Sequence, residues 1–176
     1  MQIRRVVTTH DANGSSSVGS DGLVPRAVTF DTVPGFHVRM VWADEGETAG
    51  AVAAEDRTAD VSSWLPPQRG SRLLVVTFPP DTAPAAAEPE ALAQEFATKL
   101  PGLAETFEKD DPGMHRTETL DYGVVLDGEL WLELDGGKQV HLKQHDIVVQ
   151  TGTRHAWRNR GEKPATILFV LISKAP

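Results

Sequence analysis

Short apolar runs separated by turn residues dominate the sequence from Gly113 onward, and this pattern constrains the fold more than any other feature. Asp127-Gly128 and Asp135-Gly136-Gly137 contain residues that tolerate positive φ, so they predict tight hairpins. Between them, residues 130–134 alternate leucine with Trp and Glu, as in a half-buried strand. Residues 166–172 are apolar on both sides and predict a central strand. The pattern indicates an all-β sandwich or barrel.

The chain divides into three segments of one structural domain. Residues 1–78 contain candidate strands at 3–8, 27–30, 37–42 and 72–78 and are predicted to form an N-terminal β extension packing on the barrel. Residues 79–110 combine a Pro/Ala-rich connector with a predicted helix at 90–100, which Pro101-Gly102 ends, and a second short helix is possible at 103–108. Residues 111–176 are predicted to form the core of the fold.

Charge and composition exclude several kinds of chemistry. The formal net charge of -8 and the lack of any basic run argue against a nucleic-acid partner. Because the chain has no cysteine, a metal ion would need His, Asp, Glu or water as ligands. The sequence has neither a signal-peptide-like apolar run near its start nor a stretch long enough to span a membrane, so we expect a cytoplasmic protein without membrane contact.

Residues 115–121 carry the side chains best placed to form a pocket wall. In extended backbone, side chains two residues apart share a face, so His115, Thr117, Thr119 and Asp121 are predicted to point the same way. Glu118 has the opposite parity and is predicted to face away from the pocket.

The first of two motifs between residues 113 and 159 resembles that of the cupin superfamily. The cupin motif is a Gly, then His-x-His, a Glu three or four residues on, and a Gly seven after that Glu. Counting back from Gly128, Asp121 takes the Glu position, Thr117 the second His position and His115 the first. The resemblance therefore holds with two altered ligand positions.

The second motif follows 26 residues after the first. Cupins end it with Pro-x-Gly-x-x-His-x-x-x-Asn, and Gly152, His155 and Asn159 match, while Gln150 stands in place of the Pro. The whole segment looks like a subgroup of small single-barrel cupins found in secondary-metabolite and aromatic-compound pathways, some described as cupin-domain oxidoreductases. The resemblance implies a double-stranded β-helix (jelly-roll) barrel, here with an N-terminal β extension and one or two short helices.

Carrying the cupin ligands over to this chain leaves His115, Asp121 and His155 as the implied metal-binding and catalytic residues. Two histidines and one carboxylate suit a divalent ion, with Fe(II) favoured and Mn, Ni or Zn as alternatives. Asp is one methylene shorter than Glu, which limits its reach to a metal. The alternatives are two satisfied interior histidines, and an Asp121 that orients a histidine or caps a turn.

Substrate contacts are implied for Thr117, Trp157 and Arg116. Threonine is also a common strand residue, and Trp157 could equally be an ordinary core tryptophan. Arg116, like Arg154 and Arg158, could bind a substrate carboxylate, although pairing with the protein's own acidic residues is the expected role.

The resemblance implies a metal-dependent enzyme acting on a small organic substrate, aromatic or polyketide-like, most often as an oxygenase or oxidoreductase. The alternatives are a non-oxidative cupin, meaning a dehydratase, isomerase or decarboxylase, and a metal-free cupin that binds a small molecule. Because pairing between copies would protect exposed sheet edges in the N-terminal strands, we also expect a homodimer.

Overall fold

The computed structural model describes residues 2–46, 56–83 and 88–173. It is mostly β, which confirms the predicted all-β class. The strands, in chain order, are β1 (Arg4–His10), β2 (Ser16–Leu23), β3 (Arg26–Thr29), β4 (His37–Asp44), β5 (Ser71–Phe78), β6 (Thr119–Asp127), β7 (Glu129–Leu134), β8 (Gln139–Lys143), β9 (Ile147–Gln150), β10 (His155–Arg158) and β11 (Ala165–Ser173). A helix, α1 (Pro89–Lys99), lies between β5 and β6.

A six-stranded sheet forms one wall of the fold, in the order β3-β4-β5-β11-β6-β9. Strand β11 pairs antiparallel with β5 on one side and with β6 on the other, so the predicted central position of residues 166–172 is confirmed. Ile167 of this strand is fully buried. A strand flanked on both sides and covered by a core needs apolar side chains throughout, which is what the sequence supplies.

A three-stranded sheet, β10-β7-β8, forms the opposite wall. Leu130 and Leu132 of β7 are buried, and they join Val125 and Ile167 of the larger sheet in one hydrophobic cluster. The core therefore lies between the two sheets, and the predicted alternation along residues 130–134 places its leucines inward.

One of the two predicted hairpins is wrong. Asp127-Gly128 joins β6 to β7, but these strands lie in different sheets, so the dipeptide is a corner where the chain crosses between walls. Gly128 has φ 74°, and a Cβ there would lie 2.9 Å from the Cα of Ala165. A turn signal reports positive φ but not the direction in which the chain leaves. The hairpin at Asp135-Gly136-Gly137 is confirmed, because β7 pairs with β8.

The N-terminal segment is divided between two sheets. Strands β3 to β5 extend the six-stranded sheet, whereas β1 and β2 form a separate two-stranded sheet. Strand β2 escaped prediction because its sequence, SSVGSDGL, lacks an apolar alternation, and all eight of its residues are exposed. The boundaries proposed at residues 78 and 110 stay predictions.

Helix α1 confirms the predicted helix, while the second helical segment is a single 3-10 turn at Ala104–Thr106. The Pro/Ala-rich connector before α1 lies partly outside the described residues. Within the described ranges, no helix is long and apolar enough to cross a membrane.

Candidate functional site

A cavity of about 1070 Å³ opens between the two sheets and extends beneath helix α1. Most of its lining is apolar. The polar side chains of the lining include a set of five. Three belong to the inward row predicted from the sequence, and two lie on the neighbouring strands β9 and β10: His115, Thr117, Asp121, Gln150 and His155. All five are at least nine-tenths buried. A mostly apolar cavity with a few polar groups at one end is the usual form of a small-molecule site.

His115 and His155 form the centre of this polar end. Their backbones exchange two hydrogen bonds, each 2.9 Å from the amide N of one residue to the carbonyl O of the other. The imidazole centroids are 4.3 Å apart. The two histidines, 40 positions apart in the sequence, are therefore joined by a pair of backbone hydrogen bonds.

Backbone carbonyls set the tautomer of both rings. Nδ1 of His115 lies 3.1 Å from the carbonyl O of Gly113, and Nδ1 of His155 lies 2.9 Å from the carbonyl O of Thr153. A carbonyl oxygen only accepts, so in each ring Nδ1 carries the proton and donates it. In the neutral rings the lone pair is therefore at Nε2, the atom available for a proton or a ligand.

Burial makes both imidazoles neutral at pH 7. Desolvation, with the neighbouring His155 ring, lowers the pKa of His115 to about 4. Desolvation also lowers the pKa of His155. Neutral imidazoles at neutral pH are bases rather than acids.

Asp121 has the opposite shift. Burial raises the pKa of its carboxyl to about 6, opposed by the hydroxyls of Thr119 and Thr117. Those hydroxyls are themselves joined, Thr119 Oγ1 donating to Thr117 Oγ1 over 2.9 Å. Within the described residues, Asp121 Oδ1 is a buried oxygen without a hydrogen-bond partner. A buried carboxyl of this kind can hold or release a proton near neutral pH.

The structure brings together five of the six predicted site residues. His115, Thr117, Asp121, His155 and Trp157 all line the cavity, with the Trp157 ring edge-on to His155 at 5.8 Å between centroids.

The sixth predicted site residue, Arg116, does not line the cavity. It is exposed and lies outside the cavity lining. The alternation that turns His115 inward turns its neighbour outward, and Glu118 is exposed for the same reason. Arg116 therefore has no place in the pocket wall.

Two other arginines hold the chain around the site. Arg154 makes ion pairs with Glu108, Asp111 and Asp135, and Arg158 pairs with Glu133 over 2.7 Å. The expectation that these arginines pair with the protein's own acidic residues is confirmed.

Gln150 and the residues of α1 were not predicted as site residues. The Gln150 amide Nε2 donates to the Thr153 carbonyl over 3.2 Å, the same oxygen that fixes the His155 ring. Its replacement of the motif proline was the available signal. The sequence predicted helix α1 but not its place at the site, because a helical pattern does not show what its apolar side faces.

The predicted metal ligands do not fit a three-ligand centre. Among the residues described, no three His, Asp or Glu side chains form a group able to hold an ion. The two imidazoles are close together, whereas the Asp121 carboxyl lies with the hydroxyls of Thr117 and Thr119. The divalent ion stays a prediction.

The histidine pair lies in a segment of the chain that matches a known protein family. Residues 105–171 match the model of the Cupin domain family. The phomopsin biosynthesis cluster protein C' of Diaporthe leptostromiformis is 52% identical over 64 residues, covering 36% of this chain and 34% of that protein. The cupin-domain-containing oxidoreductase virC of Hypocrea virens is 39% identical over 66 residues, covering 36% and 34%.

A solved structure, the Cupin 2 conserved barrel domain protein from Salinispora arenicola, is 13% identical with a TM-score of 0.39, covering 58% of this chain and 63% of that one. The family match confirms the cupin resemblance for residues 105–171. The aligned segment spans about a third of the length of these curated relatives.

Proposed function

We propose that this protein is an enzyme of the cupin oxidoreductase type that acts on a small, largely apolar organic molecule in the cavity. The names of several relatives, which contain "cupin-domain-containing oxidoreductase", support the reaction class. The mostly apolar lining of the cavity supports the substrate class. An aromatic or polyketide-like molecule fits a lining that includes Trp157 and Phe169, whose ring centroids are 5.2 Å apart.

The buried pair of His115 and His155 carries the proposal. Their Nδ1 atoms are committed to backbone carbonyls, so each neutral ring presents an unprotonated Nε2. Two buried polar rings in an apolar cavity cost folding free energy, which is expected where they serve a ligand rather than the fold.

Proton transfer is the step these residues can perform. An imidazole Nε2 takes a proton from a substrate O–H or from an acidic C–H next to a carbonyl. The Asp121 carboxyl, with a pKa of about 6, can return or accept a proton at a second position. Such a proton movement is part of an oxidation and equally of an isomerisation or dehydration.

An activity screen tests the proposal. Purified protein without a histidine tag, with and without anaerobic Fe(II) reconstitution, is given phenolic and carbonyl compounds while oxygen uptake is recorded, and a parallel screen follows turnover without oxygen. We expect turnover that the double variant His115→Ala/His155→Ala loses. Turnover that persists unchanged in this double variant would contradict the proposal.

Metal analysis of the same preparations tests the remaining prediction. Stoichiometric ion that disappears in His115→Ala or His155→Ala would support the predicted centre. Protein that turns over substrate with no bound ion would remove it.

A further inference from the structure

A continuous row of aromatic rings leads from the histidine pair to the far end of the cavity. His115 lies 4.6 Å from Phe107, Phe107 lies 6.0 Å from Phe96, and Phe96 stacks on Phe36 at 5.6 Å, all between ring centroids. All four rings line the cavity. The polar end and the far end are thus two parts of one space with an aromatic wall.

The far end lies beneath helix α1, where apolar side chains of the helix face apolar side chains of the six-stranded sheet and its connections. We call the space lined by Phe36, Phe78, Leu92, Ala93 and Phe96 the α1 lobe. Leu92 and Phe96 are one turn apart on the helix and therefore share a face.

Helix α1 is held over this lobe by polar contacts. None of its residues is fully buried. Instead, Glu95 accepts hydrogen bonds from the backbone N–H groups of Asp31 and Thr32 at 2.8 and 2.9 Å, and Lys99 donates to the carbonyl of Thr29 over 2.7 Å. Most helices of globular proteins are fixed by burying an apolar face. Here that face borders the cavity, where Phe96 packs against Phe30 at 4.7 Å between ring centroids and Leu92 lines the open space.

We propose that the α1 lobe is a subsite for an apolar arm of the substrate, whose polar group lies at His115 and His155. This inference rests on the proposed function, since it takes the histidine pair as the position of the reacting group. The substrate class becomes a molecule with a polar head and a hydrocarbon or aromatic extension. The residues that line the lobe, between Phe36 and Phe96, lie outside the segment 105–171 that matches the family model.

Binding of 4-alkylphenols tests the subsite. Dissociation constants for phenol, 4-ethylphenol, 4-butylphenol and 4-hexylphenol are measured by isothermal titration calorimetry. Each methylene that leaves water for the lobe is expected to tighten binding by about fourfold. Equal affinities for phenol and 4-hexylphenol would overturn the inference and leave the proposed function standing. No binding by any member of the series would contradict both.

A lobe-filling variant locates the effect. Ala93 is exposed to the cavity, so Ala93→Trp occupies the lobe without removing any core contact. We expect it to abolish the gain with chain length and to leave phenol binding unchanged. Ala97→Trp, one turn along the same face, gives a second version should the first fail to melt cooperatively.

The matched control is Gln94→Trp, which adds the same side chain to the same helix outside the cavity lining. It should keep the full chain-length dependence. If Ala93→Trp and Ala97→Trp also keep it, the arm lies elsewhere and the inference is wrong.

Discussion

The amide N–H of His115 donates to the carbonyl of His155, and the amide N–H of His155 donates to the carbonyl of His115, both over 2.9 Å. This reciprocal pair fixes the two backbones before any side chain is considered. It explains how two imidazoles from separate motifs stay 4.3 Å apart in an interior that disfavours polar rings. We therefore expect the two rings to act as one unit, which mutagenesis can test.

The losses of activity caused by the two single histidine variants should therefore not add up in the double variant. His115→Ala and His155→Ala are each expected to lower kcat/KM about 10²–10⁴-fold, because each removes a group that we propose for proton transfer. The double variant should lose little more than either single one. The control is His141→Ala, since His141 is exposed and stacks on Trp131 outside the cavity. Independent, multiplying effects would show that the rings do not cooperate.

Gly113→Ala should disturb His115 through the backbone. Gly113 has φ 85°, its carbonyl holds the His115 ring, and a Cβ there would lie 2.9 Å from Nη1 of Arg158. We expect a loss of about 1–3 kcal/mol in the free energy of unfolding, together with reduced turnover.

Gly136→Ala is the matched control for this backbone effect. It also has positive φ, at 69°, but a Cβ there would meet nothing within 4 Å. It should cost about 1 kcal/mol and leave turnover unchanged. Equal losses for the two variants in urea titrations would mean that the contact with Arg158 is unimportant.

The anchor of helix α1 should weaken in acid. Although burial opposes ionisation, hydrogen bonds from Lys99, Thr32 and the backbone N–H groups of Asp31 and Thr32 lower the pKa of Glu95 to about 2. The folded pKa lies below the unfolded value of 4.5, so the stabilisation is complete above pH 4.5 and is lost as the pH falls toward 2.

Glu95→Gln measures this contribution. It should lower the free energy of unfolding by about 1–2 kcal/mol at pH 7, after allowance for solvent screening. The difference from the wild type should shrink between pH 4.5 and 2. Glu90→Gln, an exposed acid in the first turn of the same helix, should show neither effect beyond a few tenths of a kcal/mol. A pH-independent Glu95→Gln cost would contradict the assignment.

The exposed apolar side chains of β9 lead us to predict that two copies pair there, and not at the edges of the N-terminal strands. Strand β9 is at an edge of the six-stranded sheet, and Ile147 and Val149 on it are 69% and 57% exposed beside Tyr122. Exposed apolar edges favour association. Light scattering should show a dimer that Ile147→Lys converts to a monomer. Val18→Lys, at a 60% exposed valine on β2, should remain dimeric. A wild-type monomer at micromolar concentrations would remove the prediction.

The alternation of residues along a strand correctly predicted which side chains point into the protein. The inward row of His115, Thr117, Thr119 and Asp121 is buried as predicted, even though regular strand begins only at Thr119. The same parity argument would have excluded Arg116 from the pocket. The turn signal at Asp127-Gly128 gave the wrong connection, because the direction in which the chain leaves a turn depends on the sheet that receives the next strand.

The sequence by itself determined the all-β class, the central strand, the helix near residues 90–100 and the inward row that lines the site. These follow from side-chain periodicity and turn chemistry, which act over a few residues. Only the tertiary structure decided that the backbones of His115 and His155 hydrogen-bond to each other, that the Asp121 carboxyl lies with two threonine hydroxyls, and that α1 covers an apolar lobe. The histidine pair and the lobe depend on contacts between residues far apart in the chain, and no local pattern encodes those distances.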